Sequence, residues 1–239
     1  MTEITIKTDS DEEFMAYMAT PASGEKKSPV VIIIQEIFGV NGVMRGICDG
    51  LAYQGYIAVC PDLFWRQEPG VNITDQTEEE WQKAFALYEG FDENKGVEDL
   101  IATLNHMHGL EGCNGNVGTL GFCLGGKLAY LMATRSDADC NVSYYGVGIE
   151  NTLDEVSNIK KPLLMHVAEK DKFVPQEAQM TIMKSVTENE NVEFYHYQNV
   201  DHAFARIGGE HYDEDAAREA NYRTADFLAR NLISDADID

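Results

Sequence analysis

An unbroken apolar stretch, SPVVIII at residues 28–34, limits most strongly how this chain can fold. A strand with one face in water alternates apolar and polar residues, whereas this β-branched stretch offers no polar face. It therefore predicts a strand inside a parallel sheet that helices cover on both sides. Further strands are predicted at residues 56–60, 116–122, 141–145, 162–167 and 192–197.

Helices are predicted between these strands, because apolar residues recur there at helical spacing. The predicted helices are residues 41–54, one beginning at Thr77, and residues 94–108, 124–134, 175–186 and 213–232. A short hairpin is expected before them, within residues 4–22. Strands that alternate with helices predict an α/β fold with a single, mainly parallel sheet flanked by helices. No linker or repeat interrupts the series, so residues 1–239 are expected to form one domain with a frayed acidic tail at 234–239.

Composition excludes several classes of partner. The 239 residues carry a formal net charge of −23, which repels phosphate backbones and anionic lipid surfaces. We therefore expect no nucleic-acid and no membrane partner, and no apolar segment reaches the roughly 18 residues of a membrane span. The first residues lack the basic and apolar regions of a secretory signal. The five cysteines are an odd number without zinc or CxxC spacing, so we expect a cytoplasmic protein without a metal site. A monomer is favoured as the oligomeric state.

The motif GFCLGG at residues 121–126 joins a predicted strand to a predicted helix. It has the form of a nucleophile elbow, with Cys123 in place of serine and glycines that permit the tight turn. At this place the backbone N–H of Leu124 can stabilise an oxyanion, and a helix N-terminus favours a thiolate. The motif alone fits a glycine-rich turn with a buried cysteine equally well, so other residues decide between the two interpretations.

Two residues further along supply the partners of a nucleophile. Asp171 follows a predicted strand and precedes a helix, and His202 follows the next strand. The order Cys123, Asp171, His202 is the nucleophile–acid–histidine order of α/β-hydrolases, which favours a catalytic triad over a solvated loop acid. The other histidines are interpreted as structural.

Glu36 stands at the carboxyl end of the apolar strand 28–34, where ligands of parallel sheets bind. A carboxylate there could control the protonation of Cys123. The next residue, Ile37, lies where such folds supply the second oxyanion N–H.

The segments QEIFGVN, PDLFWRQEPG, GFCLGGKLAY, EKDKFVP and DHAFAR follow one another between Gln35 and Arg206. In these segments the sequence resembles the dienelactone hydrolase (carboxymethylenebutenolidase) family of α/β-hydrolases. The resemblance implies a Cys–His–Asp triad that hydrolyses dienelactone, 4-carboxymethylenebut-2-en-4-olide, to maleylacetate in aromatic catabolism, with no metal or organic cofactor. It also implies that Glu36 holds the thiol and deprotonates it when substrate arrives.

Substrate recognition is where this sequence departs from the family, whose members hold the lactone carboxylate with arginines. Arg206 matches one of them, but the helix after the 62–74 loop offers Trp81 and Lys83 and no arginine. Either Lys83 supplies the second charge, or Arg206 acts alone, or Trp81 turns the pocket towards more apolar esters. The alternatives are a broader carboxylesterase or thioesterase and, from another class, a non-catalytic or thiol-sensing module. The net charge does not exclude an anionic substrate, because a local base can outweigh screened acids about 8 Å or more away.

Overall fold

Eight strands and six α-helices alternate along residues 2–22 and 27–233, the part of the chain that this computed structural model describes. The strands are β1 Thr2–Lys7, β2 Glu13–Ala19, β3 Ser28–Ile34, β4 Ile57–Pro61, β5 Cys113–Phe122, β6 Cys140–Tyr144, β7 Leu163–Ala168 and β8 Val192–Tyr197. The helices are α1 Gly42–Tyr53, α2 Glu78–Glu89, α3 Glu93–His108, α4 Leu124–Arg135, α5 Gln176–Val186 and α6 Glu214–Leu232. The predicted fraying of residues 234–239 lies outside the described residues.

The strands form a mainly parallel sheet, as predicted, and the chain divides into two compact units at Gly118. In the first unit the order is β1-β2-β4-β3-β5, with β2 antiparallel to both β1 and β4 and with β3 parallel to β4. In the second unit, residues 119–233, the order is β5-β6-β7-β8, and β7 is parallel to both of its neighbours. The expectation of a single domain stays a prediction.

Strand β3 forms the centre of the first unit's core, because all seven of its residues are buried. Val30 pairs with Ile57 of β4 in parallel register. Helix α1 buries one face, and its N-cap Asn41 accepts hydrogen bonds from the N–H groups of Val43 and Met44. The strand SPVVIII is thus buried on both faces, as the sequence predicts.

In the second unit a hydrogen-bonded histidine lies inside the core. His166 on β7 is fully buried, and its ring contacts the hydroxyls of Tyr197 and Thr224, each at 2.9 Å. Burial and the charge of Arg223 lower the pKa of His166 to about 3. The ring is therefore neutral at physiological pH, in agreement with its interpretation as a structural histidine.

One helical segment was not predicted. Residues Ile149–Asn158 form a 3₁₀ helix with a kink at Thr152, after Gly148 with φ 86°. Its sequence is mostly polar, and a tertiary contact anchors it: Glu155 accepts hydrogen bonds from Arg135 at the end of α4, the shorter at 2.6 Å. Periodicity gives no sign of such a segment.

Among the residues that the structure describes, no helix combines the length and the apolar character that a bilayer crossing requires.

Candidate active site

Cys123 lies between the end of β5 and the first residue of α4, in a backbone conformation that few residues adopt. Its φ is 56° and its ψ is −115°, outside the regions that side chains with a Cβ prefer. The Cys123 N–H donates a hydrogen bond to the carbonyl of Tyr144 at the end of β6, at 3.1 Å. The turn is thus tied to the neighbouring strand and holds a half-buried thiol at the strand end.

The glycines around Cys123 are required by close backbone contacts. A Cβ on Gly121 would lie 1.9 Å from the carbonyl oxygen of Gly125, and one on Gly126 would lie 2.4 Å from that of Tyr144. Neither contact is with a flexible side chain, so neither can relax cheaply. The glycines of GFCLGG therefore permit the sharp turn, as predicted.

His202 connects an acid with the thiol. Its Nδ1 lies 2.8 Å from Oδ2 of Asp171, and its ring also hydrogen-bonds the side chain of Cys123. Asp171 lies after β7, where its Oδ1 accepts hydrogen bonds from the N–H groups of Phe173 at 2.8 Å and Val174 at 3.3 Å. Asp171 and His202 are both buried, so this chain of hydrogen bonds is shielded from water.

The charges around His202 change its proton affinity. Burial alone lowers the pKa of the imidazole, but the charge of Cys123 and the hydrogen bonds to Asp171 and Cys123 raise it, to about 10 overall. The arrangement therefore favours the imidazolium form of His202.

Two aromatic rings that sequence reasoning did not single out enclose His202. Tyr145 and Phe173 both meet the imidazole edge to face, with ring centroids at 5.0 and 4.9 Å. Tyr145 is buried, whereas Phe173 is 45% exposed, so Phe173 borders the route to solvent. Its place two residues after Asp171 is the one sequence signal that could have found it.

Arg206 and Leu124 belong to the same unit as these residues. The Arg206 N–H donates to the carbonyl of Ala203 at 3.0 Å, so the half-buried Arg206 lies on the turn that follows His202. Leu124 is the first residue of α4, where backbone N–H groups have no carbonyl acceptor within the helix. An N–H at this place is available to an anionic group.

Glu36 and Ile37 belong to the first unit, directly after β3. Their exposed fractions are 2% and 5%. The Glu36 carbonyl accepts a hydrogen bond from the side-chain amide of Gln35, whose oxygen in turn accepts from the N–H of Leu63. The loop after β3 is therefore anchored to the loop after β4, which limits the movement of Glu36.

Trp81 and Lys83 lie on α2 with different partners. The Trp81 ring stacks on Phe85 at 5.4 Å and meets Phe38 edge to face at 5.0 Å. Lys83 forms an ion pair with Glu68, Nζ to Oε1 2.6 Å, in which both side chains are about half exposed. Trp81 thus belongs to an aromatic cluster, whereas the charge of Lys83 is already paired.

Within the described part of the chain, no group of three or more His, Cys, Asp or Glu side chains is arranged to hold a metal ion.

Comparisons with known proteins agree with this architecture. The family model described as the dienelactone hydrolase family matches residues 14–232. A relative from Azospirillum brasilense, provisionally named carboxymethylenebutenolidase, is 51% identical over 97% of this chain and 100% of its own. The carboxymethylenebutenolidase of Pseudomonas putida is 40% identical over 95% of both chains.

Among solved structures, a protein from Klebsiella pneumoniae provisionally described as a dienelactone hydrolase superposes with a TM-score of 0.81. It is 24% identical, and the alignment covers 96% of this chain and 100% of that one. At this identity the likeness shows the fold, which agrees with the α/β-hydrolase fold expected from the sequence.

Proposed function

Because this chain belongs to the dienelactone hydrolase family, a family of lactone and ester hydrolases, we propose that it hydrolyses a lactone ester with Cys123, His202 and Asp171 as its catalytic triad. The proposed substrate is dienelactone and the product is maleylacetate. The observation that carries the proposal is His202, whose ring hydrogen-bonds both the Asp171 carboxylate and the Cys123 side chain.

In the proposed mechanism the Cys123 thiolate attacks the lactone carbonyl, and the N–H groups of Leu124 and Ile37 stabilise the oxyanion. The carbonyl–oxygen bond of the ring then breaks, and the departing enolate takes the proton of the His202 imidazolium, which leaves a thioester on Cys123 and a neutral imidazole. His202, oriented by Asp171, removes a proton from water, and the hydroxide adds to the thioester. The sulfur departs, and the product is a dicarboxylic acid.

We further propose that Glu36 controls the thiol by accepting its proton when substrate enters. Its place directly after β3, at the carboxyl end of a strand, and its nearly complete burial support this role.

Glu36→Gln keeps the size of the side chain and removes its capacity as a base. We expect kcat with dienelactone to fall by about 10²–10⁴-fold, the usual contribution of one proton-transfer group. Steady-state kinetics measure the effect, and Glu98→Gln, an exposed glutamate on α3, is the matched control. An unchanged rate with dienelactone would reject the control of the thiol by Glu36.

Recognition of the substrate carboxylate is assigned to Arg206, on the turn beside His202. Lys83 would have to give up its ion pair with Glu68 in order to contribute. A second candidate, an esterase for small apolar esters, is favoured by the aromatic cluster of Phe38, Trp81 and Phe85, since Phe85 is 40% exposed.

A substrate panel separates these two functions. We expect Arg206→Gln to raise KM for dienelactone by about 10–100-fold, the effect of one hydrogen bond to a charged group, and to leave p-nitrophenyl acetate unchanged. Lys83→Ala is expected to have a smaller effect. If the wild type prefers neutral esters by orders of magnitude, or if Arg206→Gln affects both substrates equally, the lactone assignment is wrong.

A further inference from the structure

Asp201, the residue before His202, connects the two loops that carry the acid and the histidine. Its Oδ1 accepts a hydrogen bond from the N–H of His202 at 2.7 Å and another from the N–H of Lys172 at 3.3 Å. Lys172 directly follows Asp171 in the chain. One carboxylate oxygen thus accepts from the N–H of His202 and from the N–H of the residue that follows Asp171. Asp171 and His202 are themselves joined by the 2.8 Å hydrogen bond.

The second oxygen of Asp201 has charged neighbours. Oδ2 lies 3.0 Å from Nζ of Lys172 and 3.8 Å from Nε2 of His211. Burial raises the pKa of Asp201, but the hydrogen bonds from His202 and Lys172 outweigh it, and the net pKa is lowered. The side chain is therefore a carboxylate throughout the neutral range.

The backbone after His202 needs such an anchor. Ala203 has φ 61°, in the left-handed region that residues with a Cβ rarely adopt. A chain in this conformation persists only where surrounding contacts hold it, and the bond from the His202 N–H to Asp201 is one of them. Without that acceptor the His202 loop could relax and move the imidazole away from Asp171.

We propose that Asp201 is a positioning residue of the hydrolase: its Oδ1 sets the spacing of the two loops, and through it the contact between Asp171 and His202. The proposal rests on the triad function proposed above. Two separate observations carry it, namely the shared acceptor atom and the left-handed backbone at Ala203. The charge of Asp201 is not what the triad requires, because the charges that raise the pKa of His202 belong to Cys123 and Asp171.

Two near-isosteric substitutions separate geometry from charge. Asp201→Asn retains an oxygen acceptor at the same place and removes the charge, so we expect kcat to stay within about threefold of the wild type. Asp201→Glu retains the charge and shifts the oxygens by one methylene, so we expect kcat to fall by about tenfold or more while KM changes little. Lys172→Met, which removes only the ion pair with Oδ2, is the control and is expected to match the wild type.

A titration of the imidazole of His202 provides a readout that a general loss of stability would not move. In ¹⁵N-histidine-labelled protein, with the signal assigned by its loss in His202→Gln, we expect a pKa near 10 in the wild type and in Asp201→Asn. In Asp201→Glu we expect a pKa lower by about one unit, because the hydrogen bond to Asp171 is weakened. Urea unfolding of each variant shows whether the fold is intact, and Asp201→Ala, which has no acceptor, repeats the comparison if Asp201→Glu is unstable.

The proposal is overturned if Asp201→Glu and Asp201→Ala retain both the wild-type kcat and the wild-type pKa of His202. It is overturned as well if Asp201→Asn loses as much activity as Asp201→Glu, since charge would then be the requirement. Failure of the triad function is a different result, namely hydrolysis that survives Cys123→Ala. The titration of His202 does not depend on the substrate and still tests the contact with Asp201 in that case.

Discussion

Cys123→Ala is expected to lower kcat/KM for dienelactone by at least about 10⁴-fold, because it removes the proposed nucleophile and with it the covalent intermediate. The substitution leaves a cavity of only one sulfur atom at a half-buried position, so the fold should persist. Steady-state hydrolysis measures the loss, and near-ultraviolet circular dichroism shows that tertiary packing is retained. Hydrolysis at the wild-type rate would mean that the nucleophile lies elsewhere.

The other cysteines provide the control for this result. Burial raises the pKa of the Cys48, Cys60 and Cys140 thiols, so little thiolate forms there at neutral pH. Iodoacetamide should therefore label Cys123 first and abolish activity in the same proportion, which peptide mass mapping can follow. Cys140→Ala, also in the second unit, should retain both activity and labelling. This experiment also separates a hydrolase from a thiol-sensing module, which would be labelled without ever turning over an ester.

Asp171→Asn is expected to lower kcat by about 10³–10⁴-fold, as loss of the acid does in serine triads. The Oδ1 of asparagine can still accept from Phe173 and Val174, which turns the NH₂ group towards Nδ1 of His202. His202 must then accept at Nδ1 and carry its proton on the other nitrogen, which is the wrong tautomer for a base. The control is Asp215→Asn at the surface, where Asp215 forms an ion pair with the exposed Arg218.

The same variant changes the pH dependence in a defined direction. The folded pKa of His202, about 10, lies above its ordinary value of 6.5. The stability that this provides is complete below pH 6.5 and is lost as the pH rises through about 10. In Asp171→Asn the alkaline limb of kcat/KM should move to lower pH, and the urea-midpoint difference from the wild type should be larger at pH 6 than at pH 10. An alkaline limb that does not move would show that Asp171 does not act on His202.

Much of the architecture could be predicted because it depends on local patterns. The apolar stretch 28–34 has no polar face, and Gly121 and Gly126 of GFCLGG leave no room for a side chain, so the core strand and the turn at Cys123 follow from sequence. Cys123, Asp171 and His202 were expected at strand ends, and the structure joins them through hydrogen bonds of His202. Their catalytic roles stay predictions.

What the sequence could not provide depends on contacts between distant residues. The 3₁₀ helix at 149–158 is held by an ion pair between its Glu155 and Arg135, and no periodicity in the sequence predicts it. Lys83 pairs with Glu68, fifteen positions away, which no spacing rule identifies. The rings around His202 likewise meet only through the fold. Local sequence patterns predict where helices, strands and turns lie, whereas tertiary packing decides which partner a long side chain meets.

The raised pKa of His202 has a consequence for the order of chemical events. Much of the increase comes from Cys123, through its charge and its hydrogen bond. A sulfur bound in a thioester carries no charge and accepts such a bond poorly, so both contributions end when the ester is attacked. Burial, which lowers the pKa of the ring, is then opposed by Asp171 without the contribution of Cys123, so the pKa of His202 falls. In the proposed mechanism, His202 therefore becomes a stronger acid as the ring oxygen departs and is left as a neutral base for water. On this proposal the chemical state of the sulfur sets the protonation of its neighbour, and one imidazole serves both half-reactions in turn.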